Sequence, residues 1–277
     1  MKKNIAFIFT NYNNSEVTIN AIKSIFKCSL PKDVSIKIIV VDNCSIPQEK
    51  KLLDSIVKNF KIVKIIYLKN NIGYFKGLNE GINNLGSEFY DFVIIGNNDL
   101  SFSKNFILSV YENYHLFKKY PVISPNIIRI DGFHQNPHVT RPISKFRKFI
   151  YEIYFSNYYL SKIILIIANL TRKYTQRGDE KSHNIPGEII EGYGACYLLG
   201  PIFFKEFNQL LAPTFLMGEE FFLYYQLHKK NYKIYYEPNI QVSHLDHATV
   251  SKLPSKKFWR YSKESHKICK QYLKNLS

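Results

Sequence analysis

The sequence predicts an α/β protein built on a mostly parallel central sheet with helices on both faces. Three observations predict it. Four short apolar runs, IAFIF (5–9), IKIIVV (36–41), VKIIYL (63–68) and FVIIG (92–96), are continuous rather than alternating, as strands buried on both faces are. The intervals 15–26, 47–60 and 74–85 carry apolar residues at helical spacing, so strand and helix alternate as a parallel sheet requires. Polar segments, TNYNN, DNCS and NND, follow the first, second and fourth runs, and in such sheets ligands bind beyond the carboxyl ends of the strands.

Beyond residue 100 the alternation weakens. Ser103 is a candidate N-cap for a helix reaching Lys118. VISPNIIRI (122–130) reads as a strand, and 132–145, with three Pro or Gly residues, as a loop. From Lys145 a helix is expected to about residue 170, with Lys145, Lys148, Glu152, Ser156, Tyr159 and Lys162 on one polar stripe and Phe146, Phe149, Ile150, Ile153, Leu160 and Ile164 mostly off it. RKYTQRGDEKSHN (172–184) reads as an exposed loop. A strand ACYLL, a helix starting near Glu219, a strand KIYYE and a basic tail complete the chain, which contains no internal repeat.

A chain of 277 residues with 45% hydrophobic content supports a large folded core, and excludes disordered and collagen-like classes. Cys28, Cys44, Cys196 and Cys269 are widely spaced without a C-x-x-C pair, which argues against a zinc knuckle or disulfide framework and for reduced thiols in a cytosol. The N-terminal apolar run is short and lacks a cleavage site, so it reads as a strand rather than a leader. No run reaches the roughly 18–20 apolar residues of a membrane span. The net charge of +16 is concentrated in 141–181, with nine Lys/Arg against three Asp/Glu, and 251–277, with eight against one. Such patches suit nucleic acid, anionic lipid or phosphorylated ligands, or simply a solubilising surface.

Several side chains could carry chemistry, each beside a plainer reading. Asp42 could accept an N–H from a nucleobase imide, or could close an Asx-type turn. Gly73, Gly77 and Gly81 recur every four residues on an expected helix, where glycine costs about 1 kcal/mol. Close helix-to-sheet packing explains this, as does a ribose or phosphate near Asn71, Gly73 and Asn79. Asp99 could bind a divalent cation, with Asn97 and Asn98 holding waters or hydroxyls, or NND could be only a turn. Glu219 and Glu220 open a helix, where its dipole favours them, and one of them could take a proton from an attacking hydroxyl. His244 and His247 follow a strand, where a surface or core histidine is the plainer reading. There is no dinucleotide fingerprint, Walker loop, H-E-x-x-H or nucleophile elbow.

Taken in order, these segments resemble an inverting family 2 glycosyltransferase of the rhamnosyltransferase-like group, over roughly residues 4–250. Thr10 to Asn13 match T-x-Y-N, and Val40 to Ser45 match V-V-D-N-x-S. Asn71 to Gly81 match N-x-G-x-x-x-G-x-N-x-G. Asn97, Asn98 and Asp99 fall on the D-x-D-like element, Gly194 and Ala195 on a GA strand start, Glu219 and Glu220 on an acidic pair, and His244 on a late histidine. Asn97 stands where a first acidic residue is frequent, Glu220 where Asp is usual, and Phe222 where a further Asp often occurs.

The resemblance implies a GT-A fold, with 1–100 as the nucleotide-sugar half, 101–250 as the acceptor half and 251–277 as an appended basic tail. It implies a donor site of Thr10, Tyr12, Asn13, Asp42, Asn71, Gly73, Asn79, Asn97 and Asn98, with Mn²⁺ or Mg²⁺ on Asp99 and His244. Glu220 would be the general base, with Glu219 beside it. The expected reaction moves a sugar from a UDP- or dTDP-sugar to a hydroxyl of a saccharide, lipid-linked, in surface polysaccharide assembly. The expected location is cytoplasmic, peripheral to the inner face of the cell membrane, with 141–181 and the tail on anionic lipid. Packing of 141–181 on the core or on a second subunit of a homo-oligomer is the alternative. Three competing functions are weaker. A sugar-nucleotidyltransferase lacks its glycine-rich loop here, and a nucleic-acid-binding protein lacks a recognition motif, with its charge placed away from the candidate site. An inactive nucleotide-sugar binder is kept alive by Asn97.

Overall fold

A computed structural model describes residues 3–86, 88–171, 178–245 and 255–274. Its centre is a nine-stranded sheet in the order β3-β2-β1-β4-β8-β6-β9-β5, with β7 also on β9. The parallel half is β1 (Lys3–Asn11), β2 (Val34–Asp42), β3 (Val63–Tyr67) and β4 (Phe92–Asn97), joined by α1 (Ser15–Phe26), α2 (Pro47–Asn59) and α3 (Tyr74–Asn83). These are the elements the hydrophobic pattern predicts. Their apolar runs alternate between two cores: Ile5, Phe7 and Phe9 pack under α1, α2 and α4 (Phe106–Glu112), and Ala6 and Ile8 pack under α3. A strand covered on both sides therefore has no polar face, which is why the runs are continuous.

The second half departs from the parallel pattern. β8 (Cys196–Leu199) joins β4 and β6 (Val122–Arg129) antiparallel to both, and β9 (Ile234–His244) runs parallel to β6 with a bulge at Pro125/Asn126. The outer side of β9 takes two three-residue strands, β5 (Leu100–Phe102) near its end and β7 (Gly187–Ile189) near its start. Neither short strand is foreseen from the sequence, because three residues carry no period of their own.

Other departures have local causes. Ser103 does not cap a helix to Lys118: its carbonyl takes the Phe106 N–H, α4 ends at Glu112, and a 3₁₀ turn covers Tyr114–Lys118. The long helix from Lys145 is two helices, α5 (Lys145–Ser156) and α6 (Tyr158–Leu170). Asn157 is extended and its side chain accepts the Tyr159 N–H at 2.7 Å, so it ends one helix and caps the next. The single polar stripe is thereby broken. A short helix α7 (Pro201–Glu206) and α8 (Glu219–His228) follow, and a helix α9 (Ser255–Leu273) occupies most of the segment read as a tail. α9 is no appendage: Tyr272 packs edge-on to Phe222 and Tyr225 of α8, and Trp259 donates to the Tyr154 carbonyl of α5. Among the described residues no helix is long and apolar enough to cross a membrane.

Candidate active site

The carboxyl ends of β1, β2 and β4, the start of α8 and the first turns of α9 surround a cleft of about 760 Å³. Of the residues the sequence nominates, Thr10, Tyr12, Asn71, Gly73, Asn97, Asn98, Asp99, Glu219, Glu220 and His244 line it. Asn13, Asp42 and Asn79 do not. The Asn13 side chain accepts the Ile46 N–H at 2.9 Å. Asn79 exchanges two hydrogen bonds of 2.9 Å with the Leu210 backbone and so ties α3 to the segment before α8. Asp42 is wholly buried, with Oδ1 accepting from Asn11 at 2.8 Å and Oδ2 from the Ser45 N–H at 3.0 Å. Its carboxylate closes the turn after β2 and is not part of the cleft lining. His247 lies outside the described residues.

Asn11 and Asn43, which sequence reading passed over, lie in the cleft wall and organise that corner. Asn11 bridges Asp42, Ser45 and Thr18, and Thr18 in turn accepts from Asn98 at 2.8 Å. Asn43 accepts the Ile72 N–H and donates to the Gly73 carbonyl at 2.8 Å, which fixes the loop before α3 on the end of β2. The three spaced glycines separate into two uses. A Cβ at Gly77 or Gly81 would lie 2.8 Å from Thr10 Cγ2 or 2.2 Å from Ile8 Cγ2, so these two let α3 approach the sheet. Gly73 has φ +94°, and a Cβ there would lie 2.0 Å from the Phe215 carbonyl oxygen, which accepts the Tyr74 N–H. Only glycine permits that conformation and that approach.

Across the cleft, Asp99 and His244 meet. Both are buried, with Asp99 Oδ1 3.0 Å from His244 Nε2. His244 Nδ1 lies 2.7 Å from the side-chain Oε1 of Gln135, to which it donates, and this turns Nε2 toward the Asp99 carboxylate. A proton on Nε2, or a cation beside it, satisfies that contact. Asp99 Oδ2 is buried without a hydrogen-bond partner among the described residues. A hard carboxylate oxygen without a partner, beside an imidazole nitrogen, suits a divalent cation. No third His, Cys, Asp or Glu joins them among the described residues, so the remaining ligands would come from water and substrate.

The first turn of α8 carries the acidic pair. Gly218, left-handed at φ +83°, precedes Glu219, whose Oε1 turns back to accept the Met217 N–H at 2.9 Å. Burial, reinforced by the Glu220 charge, pushes the Glu219 carboxyl up to about 8. Glu220 Oε1 accepts the Gly194 N–H at 3.0 Å, and the Gly194 carbonyl accepts the Tyr74 hydroxyl at 2.9 Å. A side chain at Gly194 would sit 2.7 Å from Glu220 Oε1, so the glycine gives the carboxylate its donor. Ala195 accepts the Asn97 N–H, and the Gly194–Ala195 pair thus links the acidic pair to the metal-side strand end. Burial raises the Tyr74 hydroxyl well above its ordinary value, with the charges of Glu219, Glu220 and Asp99 adding to the shift. Phe222, at a position where an acid is frequent in the resembled family, is core.

The remaining wall comes from residues that the sequence reading did not nominate: Tyr193, Phe215, Lys257, Phe258 and Tyr261. Phe215 and Tyr261 face one another with ring centres 5.2 Å apart. The basic C-terminal segment therefore reaches the cleft, contrary to the expectation that its charge lies away from the site. A helical face through Phe258, Tyr261, Ser265, Ile268 and Tyr272 was the available signal.

No curated protein matches the chain. Among solved structures it is similar to "GalNAc-T7 with UDP, GalNAc and Mn2+" (TM-score 0.60, 13% identity, 89% of this chain and 44% of that one). It is similar to S. aureus TarS 1–349 in complex with UDP-GlcNAc (TM-score 0.56, 14% identity, 98% and 66%). It is also similar to the mannosyltransferase PcManGT from Pyrobaculum calidifontis in complex with GDP-Man and Mn2+ (TM-score 0.57, 12% identity, 99% and 72%). At these identities the likeness is one of fold, and it agrees with the expected GT-A architecture. The chain spans less than half of the first of these structures and about two thirds of the second. A family model described as Glycosyl transferase family 2 matches residues 6–174, more than half of the chain, and the protein belongs to that family.

Proposed function

We propose that the protein is an inverting glycosyltransferase of the rhamnosyltransferase-like group that moves a sugar from a nucleotide-diphosphate donor, a UDP- or dTDP-sugar, to a saccharide hydroxyl. The observation that carries this reading is the single cleft in which an incompletely satisfied Asp99–His244 pair and an oriented Glu220 carboxylate are joined through Gly194 and Ala195. Thr10, Asn11, Tyr12, Asn43 and Asn71 form the donor end, and Asp42 serves it by holding Asn11 in place. Asp99 Oδ2 and His244 Nε2 would hold Mn²⁺ or Mg²⁺, which when bound supplies positive charge against a departing diphosphate.

Glu220 takes the proton of the acceptor hydroxyl as that oxygen bonds to the anomeric carbon and the bond to the diphosphate oxygen breaks, giving inversion in one displacement. Its Oε1 is fixed by the Gly194 N–H. Glu219, whose carboxyl is raised by burial and the Glu220 charge, stands beside it with its own Oε1 on the Met217 N–H. The acceptor class we favour is a lipid-linked saccharide of surface polysaccharide assembly, reached by a protein peripheral to the inner face of the membrane. The basic segments support this placement.

The test is calorimetric binding of uridine, thymidine and guanosine diphosphate sugars with and without Mn²⁺, for the wild type and Asp99→Ala. Metal-dependent binding of one nucleotide class, lost in the variant, is expected. No binding by any member overturns the proposal.

A further inference from the structure

The pair α5–α6 carries an apolar surface that nothing among the described residues covers. Ser161 alone of its side chains is buried. In α6, Ile163, Ile166, Ile167 and Leu170 are all exposed, Leu170 at 83%, and their spacing places them on one stripe. In α5, Phe146 (73%) and Phe149 are exposed one turn apart. Isolated exposed apolar residues are ordinary, but a run of this size on adjoining helices marks a contact surface.

Length and charge decide what it contacts. α6 has 13 residues, about 20 Å at 1.5 Å per residue, against about 30 Å for a bilayer's hydrocarbon core, so the stripe can lie along an interface but not across it. The pair carries Lys145, Arg147, Lys148 and Lys162 against one carboxylate, Glu152, which is already engaged by Lys270 and His266 of α9. A second copy docked about a two-fold axis would set these cations against themselves. An anionic lipid surface offers both the opposite charge and an apolar interior.

We infer that α5–α6 is a membrane-docking element that seats the protein on an anionic bilayer, with the α6 stripe among the acyl chains and the lysines at the headgroups. This deepens the proposed function, on which it rests only for the lipid-linked nature of the acceptor. α9 connects the element to the chemistry. Trp259 donates to the Tyr154 carbonyl at 3.2 Å and Lys263 to the Ser156 carbonyl at 3.1 Å, while Lys257, Phe258 and Tyr261 of the same helix line the cleft. Docking therefore holds that wall of the cleft beside the surface from which a lipid-linked sugar projects.

The experiment is flotation with vesicles of phosphatidylglycerol and phosphatidylcholine, and of phosphatidylcholine alone, at low and high salt, together with sedimentation velocity. The wild type should float with anionic vesicles at low salt. The bound fraction should fall at least tenfold on neutral vesicles, and likewise in Ile166→Glu/Ile167→Glu and in Lys145→Glu/Lys148→Glu, all exposed positions whose replacement removes no core packing. No flotation of the wild type, or equal flotation of the isoleucine variant, overturns the inference. So does a wild-type dimer that the isoleucine variant disperses while neither binds vesicles, since the face would then belong to a second copy. Nucleotide-sugar binding in solution, measured on the same samples, separates the two readings: flotation without donor binding upholds docking and removes the transferase reading.

Discussion

The polar side chains at the ends of β1 and β2 satisfy one another, whereas those gathered from the end of β4, the end of β9 and the start of α8 keep capacity to spare. On the first side Asp42 has both oxygens engaged, Asn11 bridges Asp42, Ser45 and Thr18, and Asn43 clamps the loop before α3. On the second side Asp99 Oδ2 is buried without a partner among the described residues, His244 Nε2 faces the Asp99 carboxylate, and burial with the Glu220 charge raises the Glu219 carboxyl. Buried polar groups that are paired build a rigid wall; those left unpaired cost stability and persist where a ligand or a reaction uses them. The cleft thus has a scaffold side and a reactive side, although the sequence ends both in the same Asn and Asp residues.

The largest expected effect tests the reactive side. Glu220→Gln keeps an oxygen for the Gly194 N–H but cannot accept a proton, so turnover should fall by about 10²–10⁴-fold, roughly 3–5 kcal/mol of barrier, with donor affinity unchanged. Comparable turnover by the variant would move the base elsewhere. Glu219 comes next. Its folded value of about 8 lies above the ordinary unfolded carboxylate value. Between the two, the folded state holds a proton that the unfolded state has lost, so stability is full below the unfolded value, falls as pH rises toward 8, and levels off above it. Denaturant titrations should show the wild type losing a few kcal/mol over that window, while Glu219→Gln, which keeps an acceptor for Met217, lacks this slope. Parallel pH profiles for the two proteins would mean that Glu219 is ionised in the fold.

Paired substitutions then set the two sides against each other. Asp42→Ala leaves the Ser45 N–H and the Asn11 amide without their acceptor and should cost about 3 kcal/mol in urea unfolding. Asp99→Asn removes a buried carboxylate with one oxygen unpaired and should change stability by less than about 1 kcal/mol while abolishing metal-dependent nucleotide binding. Reversed stabilities would erase the distinction between scaffold and reactive sides. Gly73→Ala forces a Cβ to within 2.0 Å of the Phe215 carbonyl at a positive φ, and should cost about 2–3 kcal/mol and weaken donor binding by displacing the Phe215 segment. Gly73 varied without loss would mean that the loop moves freely.

The same contrast explains what the sequence reveals. β1 to β4 and α1 to α3 are readable because each is set by a period within its own residues. β5 and β7 are not, because three-residue strands exist only by pairing with β9. Asp99, Glu219, Glu220 and His244 are nominated by their order along the chain and do meet in one cleft. Asp42 shows the limit of that reasoning: a carboxylate after a strand looks identical whether it closes a turn or faces a ligand, and although Ser45 is local, the second partner, Asn11, stands on another strand 31 residues away. Gln135, whose Oε1 orients the His244 ring through Nδ1, carries no local signal at all. α9 had a helical face, but its lysines made it look like a solvated tail.

Lys257 gives the smallest expected effect and the sharpest test of how far the reactive side extends. It is exposed on the cleft wall, with Nζ 6.0 Å from the Tyr261 ring centre and no ion pair among the described residues. A solvated cation at the rim of an acidic cleft draws in a diphosphate without entering the bond-breaking step. Lys257→Ala should therefore raise the donor KM by about tenfold, near 1.4 kcal/mol, with kcat unchanged and with the difference shrinking at high salt. Lys257→Arg, which keeps the charge, should restore most of the affinity. A fall in kcat at unchanged KM would instead place the lysine against charge that develops only as the diphosphate leaves, and α9 would then belong to the chemistry rather than to its rim.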